Sequence, residues 1–390
     1  MKIISVVGAR PNFMKIAPFI RALDRYNRKK APVFEHRLVH TGQHYDDRMS
    51  EAFFGDLGIP EPDINLGIGS GTHAEQVGNT MIGFEKVLRK ERPDWVVVVG
   101  DVNATLACSV TAKKENIRVC HIEAGLRSGD MTMPEEINRL VTDRLADLLF
   151  TPDRLSSENL RKEGVPDERI HFVGNIMIDT LDDQMERAGK LDLHKVIRDN
   201  LLSPDRAGSL QPVTIGEYAV MTLHRPSNVD HREVLEPLTR FLINEVSAEL
   251  PLIWPIHPRA RKHLESYSLW KKVIARKNIL LLEPVGYREM LRLNKDARIM
   301  LTDSGGLQEE CTVLGTPCLT LRWNTERPVT LREHGGASIL VGTDIARLVK
   351  SYRKMRKARH VPFRPELWDG KTAGRIAKIM ARFSENRKSR

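Results

Sequence analysis

What most narrows the possible folds is an alternation that occurs twice along the chain. Short apolar runs at residues 3–7, 33–39, 95–99, 119–122 and 148–150 are separated by segments with helical periodicity. The clearest helix is PEEINRLVTDRLADLL, in which Ile137, Leu140, Val141, Leu145 and Leu148 share one face. Pro134 suits its first position, and Glu135 and Glu136 suit the positive end of its dipole. Regularity lapses in a polar stretch from about 180 to 212, and a second series follows at 218–223, 252–256, 279–282, 299–301 and 318–321. Alternation of this kind predicts parallel sheets with helices on both faces. At 390 residues the chain exceeds one ordinary core. We therefore expect an α/β protein of two doubly wound domains, one over 1–180 and one over 181–365.

Composition narrows the functional classes. The chain is 41% hydrophobic and 29% charged, and carries a net charge of +10. No helix-turn-helix, zinc or aromatic RNA-binding signature accompanies that charge, so a nucleic-acid partner is not expected. The basic balance fits an anionic ligand instead. No stretch approaches 18 apolar residues, so no membrane span is expected, and the first apolar run is too short for a signal peptide. Cys108, Cys120, Cys311 and Cys318 lack C-x-x-C spacing and lie in apolar segments. They read as buried free thiols in a reducing, cytoplasmic setting.

Doubly wound sheets bind ligands beyond the carboxyl ends of their strands. The residues found there are chemically distinctive. Arg10 and Lys15 follow the first run, Asp101 the third and Glu123 the fourth; in the second half come His224-Arg225, His257 and Ser304-Gly305-Gly306. Two glycines at a helix start offer backbone N–H groups to a phosphate. Glu310, one turn further on, could reach a ribose hydroxyl pair, whereas Glu309 reads as an ordinary first-turn acid. A diphosphate there would leave Arg10, Lys15, His224 and Arg225 facing it across a cleft between the domains. Asp101, Glu123 and Glu135 would then face the sugar, where carboxylates suit proton transfer or oxocarbenium stabilisation.

Together GARPNFMK, TGQHYD, HIEAGLRS, MPEEINR, TLHR, PIHPR, LTDSGGLQEE and TERP resemble the non-hydrolysing UDP-N-acetylglucosamine 2-epimerases over nearly the whole chain. The resemblance implies two Rossmann-like domains in the glycosyltransferase-B arrangement, with the helix at 366–385 packing back on the first domain. It also implies interconversion of UDP-GlcNAc and UDP-ManNAc without a redox cofactor or metal, by elimination of UDP to 2-acetamidoglucal and re-addition. Asp101, Glu123 and Glu135 become the implied catalytic acids, with His224 and Lys15 beside them. Arg10, Lys15, Arg225, His257, Ser304, Gly305, Gly306 and Glu310 become implied contacts to the UDP-sugar. Gln43 and His44 would begin an allosteric site for a second UDP-GlcNAc. A homodimer supplying polysaccharide precursors is implied too.

Some motifs depart from the family pattern. The first loop usually reads G-T-R-P-E, where this chain has Ala9 and Asn12; Val329 follows TERP in place of Glu, and LHRPSNVD replaces a His-Arg-Arg-Glu-Asn form. A hydrolysing relative releasing ManNAc, a glycosyltransferase on the same architecture and a non-catalytic sensor are the rival readings. The several carboxylates argue against a transferase, and a sensor would be expected to have lost one of them.

Overall fold

A computed structural model describes residues 1–29, 33–42, 61–203 and 213–385. The chain divides into two compact units, residues 1–183 with 365–390, and residues 184–364.

The first unit holds a seven-stranded parallel sheet. Its strands are β1 Lys2–Val7, β2 Glu35–His40, β3 Ile64–Asn65, β4 Trp95–Val99, β5 Arg118–Ile122, β6 Leu148–Thr151 and β7 Ile170–Phe172, in the spatial order β3-β2-β1-β4-β5-β6-β7. The β4 run of tryptophan and valines is buried along its whole length, as a central parallel strand covered on both faces requires. The second unit holds six parallel strands: β8 Ala219–Thr222, β9 Leu252–Pro255, β10 Ile279–Leu282, β11 Ile299–Thr302, β12 Cys318–Thr320 and β13 Ser338–Leu340, in the order β10-β9-β8-β11-β12-β13. Side-chain alternation builds a core on each face of this sheet. Met221, Trp254, Leu281 and Leu301 point into one, and Val220, Ile253, Leu280 and Met300 into the other. Each sheet reverses its strand order once, between β1 and β4 and between β8 and β11.

Sequence reading overlooked β3, β7 and β13, whose two or three residues carry too little pattern to register. The helix expected over 366–385 spans Thr372–Glu385, since Gly370 turns the chain at φ 69° just before it. Its first amides donate to the Asp179 carboxylate at 3.0 and 2.8 Å. Phe383 packs edge-on against Trp95, and the Trp368 indole donates to Pro152 O at 3.0 Å.

Helix Pro134–Leu145 corrects the amphipathic expectation. Its buried residues are Glu136, Asn138, Arg139, Thr142 and Asp143, whereas Ile137 is 44% exposed. The polar face turns inward because it is tied to the loops after β4 and β5. All four cysteines are buried free thiols. Among the described residues no helix is long and apolar enough to cross a membrane.

Candidate active site

In the first unit the reversal point between β1 and β4 gathers the expected residues. Lys15, on helix Arg10–Lys29, forms a buried ion pair with Glu123, the residue after β5. Gly100 turns off β4 at φ 69°, and a Cβ there would lie 3.2 Å from Lys15 Nζ and 3.3 Å from Glu123 Oε2. A side chain at that tight, left-handed position would be strained, which favours glycine. Glu123 itself sits at φ 74°, a conformation that costs a non-glycine residue about 1–2 kcal/mol and that clusters at functional sites. Asp101 follows Gly100 and is paired with Arg139, while its carbonyl accepts from Asn138 Nδ2 at 2.8 Å.

Asn12 explains one departure from the family motif. Its Oδ1 accepts from the amides of Gly8 and Ala9 at 3.2 and 3.0 Å, and its Nδ2 donates to Val99 O at 2.8 Å. The side chain thus ties the first loop to the end of β4. A glutamate could not make the last bond, because an ionised carboxylate only accepts. Arg10 opens its helix beside this loop, and its side chain lies outside the described part.

The two adjacent glutamates of helix Pro134–Leu145 have different environments. Glu136 accepts from Ser128 N and Oγ at 3.0 Å, from Gly129 N at 2.9 Å, and from Arg139 at 2.5 Å. Burial raises its pKa, but these donors overcome that and hold it below the ordinary value. Glu135 is half-buried and makes no hydrogen bond or ion pair among the described residues. Glu136 is a fixed brace, whereas Glu135 is not tied down by any partner among the described residues.

The second unit repeats the arrangement between β8 and β11. Asp303, which sequence reading passed over inside TDSGG, organises it. Its Oδ2 accepts from the amides of His224 and Arg225 at 2.9 and 2.8 Å and from Asn228 Nδ2 at 3.1 Å, and its Oδ1 lies 2.8 Å from His224 Nδ1. Burial pushes this carboxyl up, yet His224 and the amides outweigh it and bring the pKa to about 2. Nδ1 of His224 is thus engaged by Asp303, which fixes the orientation of the ring. The Asn228 contact survives the departure to LHRPSNVD. Its Pro226 begins the short helix Pro226–Val229, and Asn228 also donates to Leu321 O at 3.0 Å.

Arg225 Nε donates to Asp303 O at 3.0 Å. The His257 ring lies 5.7 Å from that of His224 and caps helix Pro258–Ser266, with Nδ1 accepting from Arg259 N at 3.1 Å. Burial and then His224 lower its pKa, which keeps Nδ1 a neutral acceptor.

Ser304, Gly305 and Gly306 begin helix Gly305–Leu314, whose leading amides have no intrahelical acceptor. Beneath them lies a buried ion network: Arg322 Nη2 to Glu326 at 2.6 Å, Arg327 Nε to Glu309 at 2.6 Å, and Arg327 to Glu326. Glu309 is therefore a buried anchor, not the ordinary first-turn acid expected, because Arg327 reaches it from the TERP segment. Glu310 is buried rather than presented at the surface. Desolvation, reinforced by Glu309, pushes its pKa up to about 7 against the opposing pull of the neighbouring Tyr287 and Asn294 side chains. Gln43 and His44 lie outside the described residues.

The structure thus brings together Lys15, Asp101 and Glu123 in one unit, and His224, Arg225, His257 and the glycine pair in the other. Sequence reading missed Asn12, His121, Arg139, Asp143, Asp303 and Arg327 as supports. All lie inside motifs already noticed, but a single sequence does not say which motif residues turn inward.

Two sheets of this order define a class, the α/β proteins of glycosyltransferase-B architecture. A glycosyltransferase from Streptomyces nogalater shares the fold, with TM-score 0.50 at 13% identity over 98% of this chain and 99% of its own. The chain belongs to the UDP-N-acetylglucosamine 2-epimerase family, whose profile matches residues 27–381. It is 41% identical to the UDP-N-acetylglucosamine 2-epimerase of Methanocaldococcus jannaschii, over 97% of this chain and 99% of that one. The structure of that organism's enzyme in complex with UDP-GlcNAc and UDP superimposes with TM-score 0.86, covering 98% of this chain and 100% of the other. A UDP-2,3-diacetamido-2,3-dideoxy-D-glucuronate 2-epimerase from Pseudomonas aeruginosa is 38% identical, over 90% of this chain and 92% of its own.

Proposed function

We propose that this chain interconverts UDP-GlcNAc and UDP-ManNAc by expelling and re-adding UDP. The C2 proton of the sugar has no neighbouring carbonyl to acidify it, so a base alone removes it poorly. Loss of the anomeric C1–O bond as that proton leaves supplies the missing driving force. The C2–H electrons become the C1=C2 bond of 2-acetamidoglucal, and UDP departs with the C1–O pair. In the return step a UDP oxygen attacks C1 while C2 takes a proton on its other face.

The chemistry calls for two proton carriers and strong stabilisation of the departing diphosphate. Asp101, Glu123 and Glu135 fill the first requirement, with Lys15 beside Glu123. The glycine pair at its helix start, His224 and Arg225 fill the second, with His257 on the nucleotide side and Arg10 assigned to the phosphates by its motif alone. Glu310, buried as it is, is assigned to the ribose by its motif alone. The observation that carries this reading is the pairing of Asp101 with Arg139 and of Glu123 with Lys15 at one reversal point, with Glu135 making no ion pair among the described residues. The reading includes a homodimer, which sedimentation tests.

Incubation with UDP-GlcNAc in deuterated water, followed at carbon 2 by NMR, tests the proposal. Deuterium entering together with UDP-ManNAc is expected. Free ManNAc would identify a hydrolysing enzyme, and no exchange without an added acceptor would point to a transferase. The diacetamido-glucuronate nucleotide assayed in parallel tests the choice of sugar.

A further inference from the structure

His121 and Asp143 form a buried pair that no step above uses. His121 is on β5, two residues before Glu123, and both side chains are essentially inaccessible to solvent. A buried polar ring needs partners for both nitrogens, and these partners are informative. Nε2 lies 2.9 Å from Gly100 O; a carbonyl only accepts, so the ring donates there. Nδ1 lies 2.6 Å from Asp143 Oδ1, on the inward polar face of helix Pro134–Leu145.

The other Asp143 oxygen accepts from Gly125 N at 3.0 Å and from Arg127 Nη1 at 2.7 Å. Burial raises the Asp143 pKa, but His121 and Arg127 overcome this and hold it below the ordinary range. Each end of the pair therefore grips a turn. Gly100, at φ 69°, immediately precedes Asp101; Gly125, at φ 83°, follows the left-handed Glu123 by two residues. A Cβ on Gly125 would lie 2.3 Å from Ser156 O, so no side chain fits at this left-handed turn.

We propose that His121, held by Asp143, is a positioning residue that through Gly100 sets the backbone presenting Asp101. This rests on the reading that Asp101 moves the C2 proton. A satisfied core histidine that serves stability alone would affect folding and leave turnover per folded molecule unchanged.

Two variants separate the ring's contacts. The amide of His121→Gln reaches where Nε2 was and can still donate to Gly100 O. The shorter amide of His121→Asn replaces Nδ1 and loses Gly100. A misplacement of about 1 Å can cost on the order of 100-fold in rate. His121→Asn should therefore lower kcat about 100-fold with KM and UDP affinity nearly unchanged, while His121→Gln should stay within about 10-fold of the parent. Crystal structures should have Asp101 displaced from Arg139 in the Asn variant and in place in the Gln variant. Equal kcat for the two variants, or a loss matched in KM and UDP affinity, would overturn the proposal. If the Asn variant does not fold, a folded Gln variant with kcat down about 100-fold does so alone. Absence of C2 exchange in the unaltered protein would instead sink the reaction assigned above, and the crystallographic comparison would still decide where the Gly100 turn sits.

Discussion

Glu310 is the residue whose position departs furthest from a simple motif reading. An acid one turn into a phosphate-binding helix would be expected to wait at the surface for a ribose. Here it is 3% exposed, beside Glu309, Tyr287 and Asn294, with its pKa raised from 4.5 to about 7 by burial. A carboxyl whose pKa is raised on folding favours the fold most below its unfolded pKa, and that favour disappears as pH rises through the folded value. Between pH 4.5 and 7 the protein should therefore lose stability on the order of 2–3 kcal/mol through this side chain. Glu310→Gln removes the effect. Urea unfolding at pH 5 and pH 8 should give the unaltered protein the steeper decline, and identical declines would place Glu310 in a wetter setting than the structure has it.

At the scale of elements, the start of helix Gly305–Leu314 separates two glycines that look alike in sequence. A Cβ on Gly305 would lie 2.6 Å from Arg327 Nη1 and 2.9 Å from Glu326 Oε1, within the buried ion network. A Cβ on Gly306 would meet nothing within 4 Å. Gly305→Ala should lower Tm by several degrees, since disturbing a buried charge network costs about 1–3 kcal/mol. Gly306→Ala should leave Tm unchanged yet weaken UDP binding about 10-fold or more by calorimetry, because its methyl would occupy the approach of the phosphate proposed to bind there. Equal Tm losses, or unaltered UDP affinity in Gly306→Ala, would count against the cradle.

Helix Pro134–Leu145 carries the complementary lesson about legibility. Periodicity found the helix and its proline start, but the assumption that apolar residues face inward gave it the wrong face. Glu136, Asn138, Arg139 and Asp143 turn inward because the loops after β4 and β5 leave backbone groups and acids that need partners. Hydrophobic patterning reports the apolar part of burial, so a helix recruited to brace a polar site is misread by it.

Across the whole molecule, the same physics made much of the architecture readable. Strands buried on both faces leave unbroken apolar runs, so β1, β4, β5, β9 and β10 stood out, and the strand-end rule then pointed to Lys15, Asp101, Glu123, His224 and Gly305 as candidates. The supports were not readable, because Asp303, Arg139 and His121 act through partners distant in sequence: Arg225, Asp101 and Asp143. Asn12 likewise became intelligible only once Val99 O was seen opposite it.

The central claim is chemical: epimerisation proceeds by breaking the sugar–UDP bond. UDP-GlcNAc carrying oxygen-18 in the bridging position between C1 and the β-phosphorus tests it most directly. Reversible expulsion of UDP lets the β-phosphate rotate before re-addition, so the label should spread into the non-bridging oxygens as UDP-ManNAc forms, visible as an isotope shift in phosphorus NMR. Epimerisation with the label still wholly in the bridge would contradict the account.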